Sequence, residues 1–443
     1  MRQGKESAAF VLLPRPEVVP TAIAVIRALG RRGIPVVAAS SERRPLSSTS
    51  RYVTKYLQCP DPAEDCPGFI DWLVQAGHSV SPRPVLYVSS DYDALVVNSY
   101  RQRLREPFLY PFISTEALSC CLEKDQTVAI AQAAGVGHPP TWRIDPDTDL
   151  AGVVPSVHYP CVVKPSAWVE FDGVKIRERN DFREVFRKKA VRATTEDELV
   201  GILSRTQGMG FPMVVQEEII GPSHQIYGAS VCTDADGEIH GIYTCRKTRQ
   251  YPSDFGSGTM VEGMVLPEVA ELCVRICRQV RFHGIAELEF KRDLRDGQLK
   301  IIEMNPRPGT WISAAPASGV DTPYLAYCDL TGRPVPDQKQ KDEVVRWCEG
   351  WPDLEYFIKN RKGDHTGAPL SLRDYIASLR GECVYAYYVL DDLRPCLRRL
   401  RRVMADLLGR AFRKTTLRKT AGPPPWKAVV ESSCDPAADR HTI

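Results

Sequence analysis

No stretch of these 443 residues is apolar for long enough to cross a bilayer. The run Ala8 to Leu13 is too short, and too soon followed by proline, to be the apolar core of a secretory signal. Paired cysteine spacing is missing as well. The 14 cysteines are scattered and sit in apolar runs, as at Cys161 and Cys232, which argues against a disulfide framework and for reduced core thiols. Cys273 and Cys277 share a helical face, but no neighbouring histidine or cysteine completes a zinc set. A formal net charge of only +3 does not imply a nucleic-acid partner. These absences are consistent with a large globular protein of ordinary composition, expected in the cytoplasm and long enough for two or three cores.

The first hundred residues alternate between strand and helix signals. Phe10 to Leu13, Pro35 to Ala39 and Val85 to Ser89 read as strands, and Thr21 to Gly30 as a helix closed by glycine. Residues 1–112 are therefore expected to form a small doubly wound α/β domain. It lacks Gly-x-Gly-x-x-Gly after its first strand, so a dinucleotide role is not supported, and the Leu13 to Pro16 turn is expected to face a substrate.

Acidic residues appear next, in a pattern that carries chemistry. From Ile285 to Phe290 apolar and acidic side chains alternate, Asp293 to Gly297 supplies a turn, and Lys300 to Asn305 is apolar up to Glu303. A β-hairpin is the economical reading. Alternate strand positions share a face, so Glu303 and Asn305 point the same way and Glu289 approaches them from the facing strand. This set of hard oxygen donors suits Mg²⁺ or Mn²⁺, completed by the phosphates of a nucleotide triphosphate. The blander alternative is a wet hairpin with cross-strand pairs to Lys291 or Lys300. The rigid Asn305 to Pro308 turn favours the metal reading, because it holds Arg307 beside the carboxylates.

Other segments have comparable physical readings. Lys164 ends the apolar strand Cys161 to Val163 and has no carboxylate near it in sequence, so a phosphate would satisfy it; a surface lysine is the alternative. Val214 to Ile220 is a strand running into Gly221 and Pro222, and such an edge offers backbone groups to an adenine ring. Arg246 to Gly258 is basic and then glycine-rich, as expected of a loop that approaches an anion and moves over it, or of an ordinary solvated loop.

Taken in chain order, five segments resemble the ATP-grasp superfamily, in its carboxylate–amine ligase (D-aspartate ligase-like) branch. They are Cys121 to Gln126 with Ala134 to Gly137, Tyr159 to Pro165, Met213 to Gly221, Arg246 to Gly258, and the acidic hairpin. The similarity runs over roughly residues 8 to 335. It implies an α/β and α+β architecture: a small doubly wound domain that contributes to the acceptor pocket, then an ATP-grasp domain over 113–336 whose two α+β subdomains clamp ATP, with 190–222 in the smaller lid. It further implies Lys124, Lys164, Glu217, Glu218, Ile219, His224 and Arg246 on the nucleotide. Glu289, Glu303 and Asn305 would hold Mg²⁺ or Mn²⁺, and Arg307, Lys247 and Arg249 would serve catalysis. Two departures stand out: Ser166 to Gly173 carries one glycine where the family's phosphate-covering loop is rich in them, and His224 stands where the family often has an acid. Trp168, Phe171, Trp311 and Ser313 are further pocket candidates.

The activity so implied is ATP-dependent ligation of a small-molecule carboxylate, an amino acid or peptide-like acid, to an amine through an acyl phosphate. Two other classes stay open, an ATP-dependent phosphotransferase and a non-catalytic nucleotide-binding protein at a membrane surface.

Beyond Pro336 the resemblance fades into an extension over 337–420. Leu370 to Leu379 reads as a helix. Over 392–414, Leu393, Leu397, Leu400, Met404, Leu407 and Ala411 recur at helical spacing among arginines, which describes a basic amphipathic helix. Packing on the body, peripheral contact with an anionic membrane, and a partner helix are its three readings. Residues 421–443, with a proline run, are expected to be disordered.

Overall fold

Short apolar runs separated by helices leave strands that must be covered on both faces, and the N-terminal segment does this with a parallel sheet. The computed structural model describes residues 6–15, 20–171, 176–361 and 369–405. Strands β1 (Ala9–Leu12), β2 (Val36–Ser40), β3 (Val53–Gln58) and β4 (Val85–Tyr87) pair in parallel in the order β3-β2-β1-β4, close to the expected spans. The helix Thr21–Gly30 lies within the expected bounds and is buried almost throughout.

A second, antiparallel sheet has the order β5-β10-β6-β9, from β5 (Thr141–Ile144), β6 (Cys161–Pro165), β9 (Val191–Ala193) and β10 (Met213–Glu217). The expected lid segment 190–222 thus supplies β9 and β10, while β5 and β6 come from upstream. The helix Glu196–Thr206 covers this sheet; Thr195 caps it by accepting from the Glu198 N–H, and its first turn is acidic. Between β6 and β9, β7 (Val169–Phe171) and β8 (Ile176–Glu178) form a separate hairpin. The glycine-poor segment after Lys164 is therefore a β-hairpin, and β7 lies against the helix Asp91–Ser99.

The third sheet has seven strands in the order β15-β14-β11-β12-β13-β16-β17. These are β11 (Ile226–Thr233), β12 (Ile239–Tyr251), β13 (Ser257–Gly263), β14 (Gly284–Arg292), β15 (Leu299–Asn305), β16 (Val345–Cys348) and β17 (Cys383–Tyr385). The predicted acidic hairpin is β14–β15, with Glu289 opposite Glu303 and Glu287 opposite Asn305. One expectation is corrected here. Arg246 to Tyr251 is no loop but the end of β12, paired on both edges at Arg246 and Lys247, and the chain turns only between Pro252 and Gly256.

The extension beyond 336 is built into this same sheet, because Met260 to Gly263 pairs with Val345 to Cys348 and the buried Trp347 fills the core beneath. The helix Leu372–Ser378 matches the expected one. The basic amphipathic helix is present over 393–405, and its continuation to 414, like the tail 421–443, lies outside the described residues. Two links close the chain on itself: Arg27 pairs with Asp392 in a buried contact of 2.9 Å, and the Tyr327 hydroxyl donates to the Ser7 carbonyl at 2.6 Å. Among the described residues every cysteine is a free thiol, and no helix is long and apolar enough to cross a membrane.

Candidate nucleotide and metal site

The small sheet faces the acidic hairpin of the large one across a cavity of about 650 Å³. Its walls carry Lys124, Lys164, Glu217, Glu218, Ile219, Lys247, Glu287, Glu289, Glu303, Asn305 and Arg307. Segments more than a hundred residues apart therefore meet as a single site.

Three lysines stand around one carboxylate. Lys124 opens the helix Lys124–Ala133, its backbone N–H donating to the Ser166 carbonyl at 2.9 Å and its Nζ to the Leu122 carbonyl at 3.2 Å. Lys164 extends from β6 toward the same space, and Lys247 from β12 pairs with Glu289 at 2.7 Å. Glu303 is held well below the usual carboxylate range; its burial opposes this, but Lys124, the Asn305 amide donating at 3.2 Å, Lys164 and Lys247 prevail. Lys247 shows the mirror effect: burial alone would lower its pKa, yet Glu289 and the carboxylates beyond it raise it.

Lys164 has no such partner in contact. Burial first, then the charge on Lys124, brings its pKa down to about 8, with Glu303 opposing. Between that value and the ordinary lysine range, the unfolded chain keeps a proton that the folded chain has lost, so this residue's contribution to stability rises with pH across that window. Phosphate binding runs the other way, because it needs the charged amine. Calorimetric titration is expected to show ADP affinity flat up to pH about 8 and then falling by up to about tenfold per unit, with this dependence absent in Lys164→Met.

On the hairpin, Glu289, Glu303 and Asn305 point into the cavity from one sheet face, joined by Glu287, an acid that the sequence reading had not placed in the site. Among the described residues no three His, Cys, Asp or Glu side chains converge tightly enough to cage an ion on their own. The donor chemistry nevertheless fits a hard divalent cation that keeps waters and takes phosphate ligands: two carboxylates, an amide oxygen and no sulfur. Burial and the neighbouring Glu289 raise the pKa of Glu287, and Arg307, 3.9 Å away, pulls it back. Its carboxyl lies against Gly309, where a Cβ would meet it at 2.3 Å, so a larger residue there would have to displace the carboxyl.

Arg307 also donates to Asp91 at 2.7 Å, and Ser89, Ser90 and Trp311 line the same cavity. The N-terminal domain thus reaches the cavity through the residues after β4. The Leu13 to Pro16 turn was expected there; instead Arg15 pairs with Asp61 and lines a separate surface cavity with Arg43 and Arg44. Ser313 does not line the cavity but accepts the Trp347 indole N–H at 2.9 Å. Trp168 lines the wall, with the Arg183 guanidinium 4.5 Å from its ring centre.

The adenine-hinge candidates end β10. His158 Nδ1 lies 2.9 Å from Glu217 Oε2, Arg295 also contacts Glu217, and Arg192 forms a two-pronged pair with Glu218 at 2.6 and 2.7 Å. Three further candidates lie off the cavity wall. Arg246 points from the opposite face of β12 to Glu262 at 2.8 Å, and exposed His224 follows in the turn after Pro222. Arg249 is buried against Asp353, with two contacts of 2.8 Å, and donates to Ser378.

Comparison with known proteins bears on the fold. Over 238 residues the chain is 23% identical to D-aspartate ligase of Enterococcus faecium, a match covering 52% of this chain and 54% of that protein. The chain thus spans about half the length of this curated relative. Among solved structures, L-amino acid ligase from Bacillus licheniformis aligns with a TM-score of 0.54 at 16% identity, over 74% of this chain and 75% of the other. An N5-carboxyaminoimidazole ribonucleotide synthetase in complex with ADP aligns with a TM-score of 0.59 at 11% identity, over 84% and 95%. This chain has the ATP-grasp fold. Biotin carboxylase from Campylobacter jejuni aligns as well, with a TM-score of 0.58 at 15% identity, over 78% and 76%. No protein-family model matches the sequence. In this fold the cavity lies between the small sheet and the acidic hairpin.

Proposed function

We propose that this protein is an ATP-dependent ligase that joins a carboxylate, an amino acid or a peptide-like acid, to an amine through an acyl phosphate. The observation that carries the reading is one cavity that brings lysines around buried carboxylates together with Arg307, Asp91 and Trp311. The similarity to D-aspartate ligase and L-amino acid ligase supports it.

Glu289, Glu303 and Asn305 would hold Mg²⁺, which when bound neutralises phosphate charge. Lys124, Lys164 and Lys247 bind and orient the triphosphate, so the substrate carboxylate oxygen attacks the γ-phosphorus while the bond to the β-bridging oxygen breaks and ADP departs. Arg307 keeps the acid's charge compensated during that approach. The amine then attacks the acyl carbon, the carbon–oxygen bond to phosphate breaks, and the amine proton is lost to solvent or phosphate. The cations around the cavity stabilise the tetrahedral oxyanion. Water would have to be kept from the acyl phosphate, which it would otherwise hydrolyse.

The test is ADP and phosphate release with Mg-ATP against a panel of amino acids, with and without hydroxylamine. Hydroxamate formation with one acid, and consumption of an amine in its place, is the expected result. Phosphate transfer to a hydroxyl without amine consumption would replace the ligase by a phosphotransferase.

A further inference from the structure

The C-terminal helix over 393–405 leaves its apolar stripe in solvent. Leu393, Leu397, Leu400 and Met404 are each between 46% and 56% exposed, and Leu390 just before them is 92% exposed. The helix is nonetheless docked, by a different face: Cys396 is buried, its thiol donating to the Tyr387 carbonyl at 2.7 Å, and Arg399 sits over the Tyr387 ring, 3.4 Å from Glu349. A helix that packs by one side and shows leucines on another is fixed in orientation before anything binds it.

Charge decides what covers the stripe. Residues 393–405 hold five arginines and no acidic residue. At 100° per residue, Leu393, Leu397, Leu400 and Met404 fall within a narrow arc, and the exposed Arg394 and Arg401 border it on the side away from the docked face. Asp391 and Asp392, just before the helix, are already taken by Arg31 at 2.7 Å and Arg27 at 2.9 Å, and Glu349 by Arg399 at 3.4 Å. A second copy of this helix would bring five positive charges against five, so self-docking is opposed. An interface with an apolar layer beneath a negative layer satisfies leucines and arginines together.

We propose that this helix seats the protein on an anionic lipid surface, with Leu393, Leu397, Leu400 and Met404 entering the acyl boundary and Arg394 and Arg401 at the headgroups. The proposal is independent of the ligase reading. Four leucine and methionine side chains with a few arginines give reversible, salt-sensitive adsorption rather than insertion.

The test uses the full chain in flotation with vesicles of phosphatidylcholine alone or mixed with phosphatidylglycerol. Deleting the helix from residue 390 would also remove Asp391 and Asp392, so point variants are needed. Wild type is expected to float with the anionic vesicles only and to be released by salt at about 0.5 M. The double variant L397D/L400D is expected to bind at least about tenfold less, with its melting temperature unchanged. As a second readout, Leu397→Trp is expected to give emission that shifts to the blue on adding anionic vesicles. Failure of the wild type to float, equal flotation of L397D/L400D, or a dimer in light scattering that the double substitution dissolves would each overturn the proposal.

Discussion

Glu303→Ala is expected to lower ATP-dependent turnover by at least about a hundredfold, the scale seen when one preorganised charge is removed from a reacting centre. The expectation rests on the company this carboxylate keeps. Glu303 is the anion that Lys124, Lys164 and Lys247 all face, and it shares its sheet face with Glu289 and Asn305. Without it the lysines are left to repel one another, and Lys164 in particular loses the one charge that raises its pKa. Two binding measurements separate the consequences. Magnesium-free ADP should bind the variant at least as well as wild type, because phosphate replaces the missing anion. The gain in affinity on adding magnesium should be lost. Wild-type turnover in the variant, or an unchanged magnesium effect, would remove Glu303 from the metal site.

Arg249→Ala is expected to destabilise the fold by about 3–5 kcal/mol, the usual effect of orphaning one member of a buried ion pair. Asp353 is fully buried, and it accepts from Arg249 twice at 2.8 Å and from the Thr259 hydroxyl at 2.9 Å. Removing the guanidinium leaves a charge with no solvent to receive it. Replacing both partners by apolar residues of similar size, Arg249→Met with Asp353→Leu, should recover most of the loss, since the pair's desolvation cost disappears with it. Urea denaturation followed by circular dichroism reads both. The refolded single variant should keep its ADP affinity, because Arg249 does not line the cavity. A large fall in ADP affinity with unchanged stability would return Arg249 to the site.

This residue also shows where sequence reasoning stops. Alternation places Lys247 and Arg249 on one strand face, but β12 bulges against β13 between them, so Lys247 and Gln250 face the cavity and Arg249 turns to the helix Gly350–Lys359. A bulge is a property of the pairing, and nothing in residues 246–250 alone announces it. The acidic hairpin was legible because its alternation, its turn and its partner strand lie within about twenty residues of one another. Glu287 was legible by the same alternation, two residues before Glu289, though its burial beside Arg307 and Gly309 was not. Asp91 and Arg307 lie 216 residues apart, and only the packing of the N-terminal domain onto the large sheet joins them. Arg192 and Arg295 reach Glu218 and Glu217 across separate elements and carry no motif. The apolar stripe of the last helix was visible in sequence, whereas the choice of Cys396 and Arg399 as its docking face was not.

The buried pair between Arg27 and Asp392 has a consequence for how the protein is made. Arg27 belongs to the second element of the chain, yet its guanidinium is satisfied by Asp392 and by the carbonyls of Ala386 and Tyr387. During synthesis the N-terminal sheet therefore emerges with an unmatched cation in its principal helix and waits for more than 350 residues to follow. The domain translated first is among the last to be completed. Ribosome-stalled chains that end before Asp392 should accordingly be cut by protease within Thr21–Gly30, and chains that carry it clear of the exit tunnel should resist.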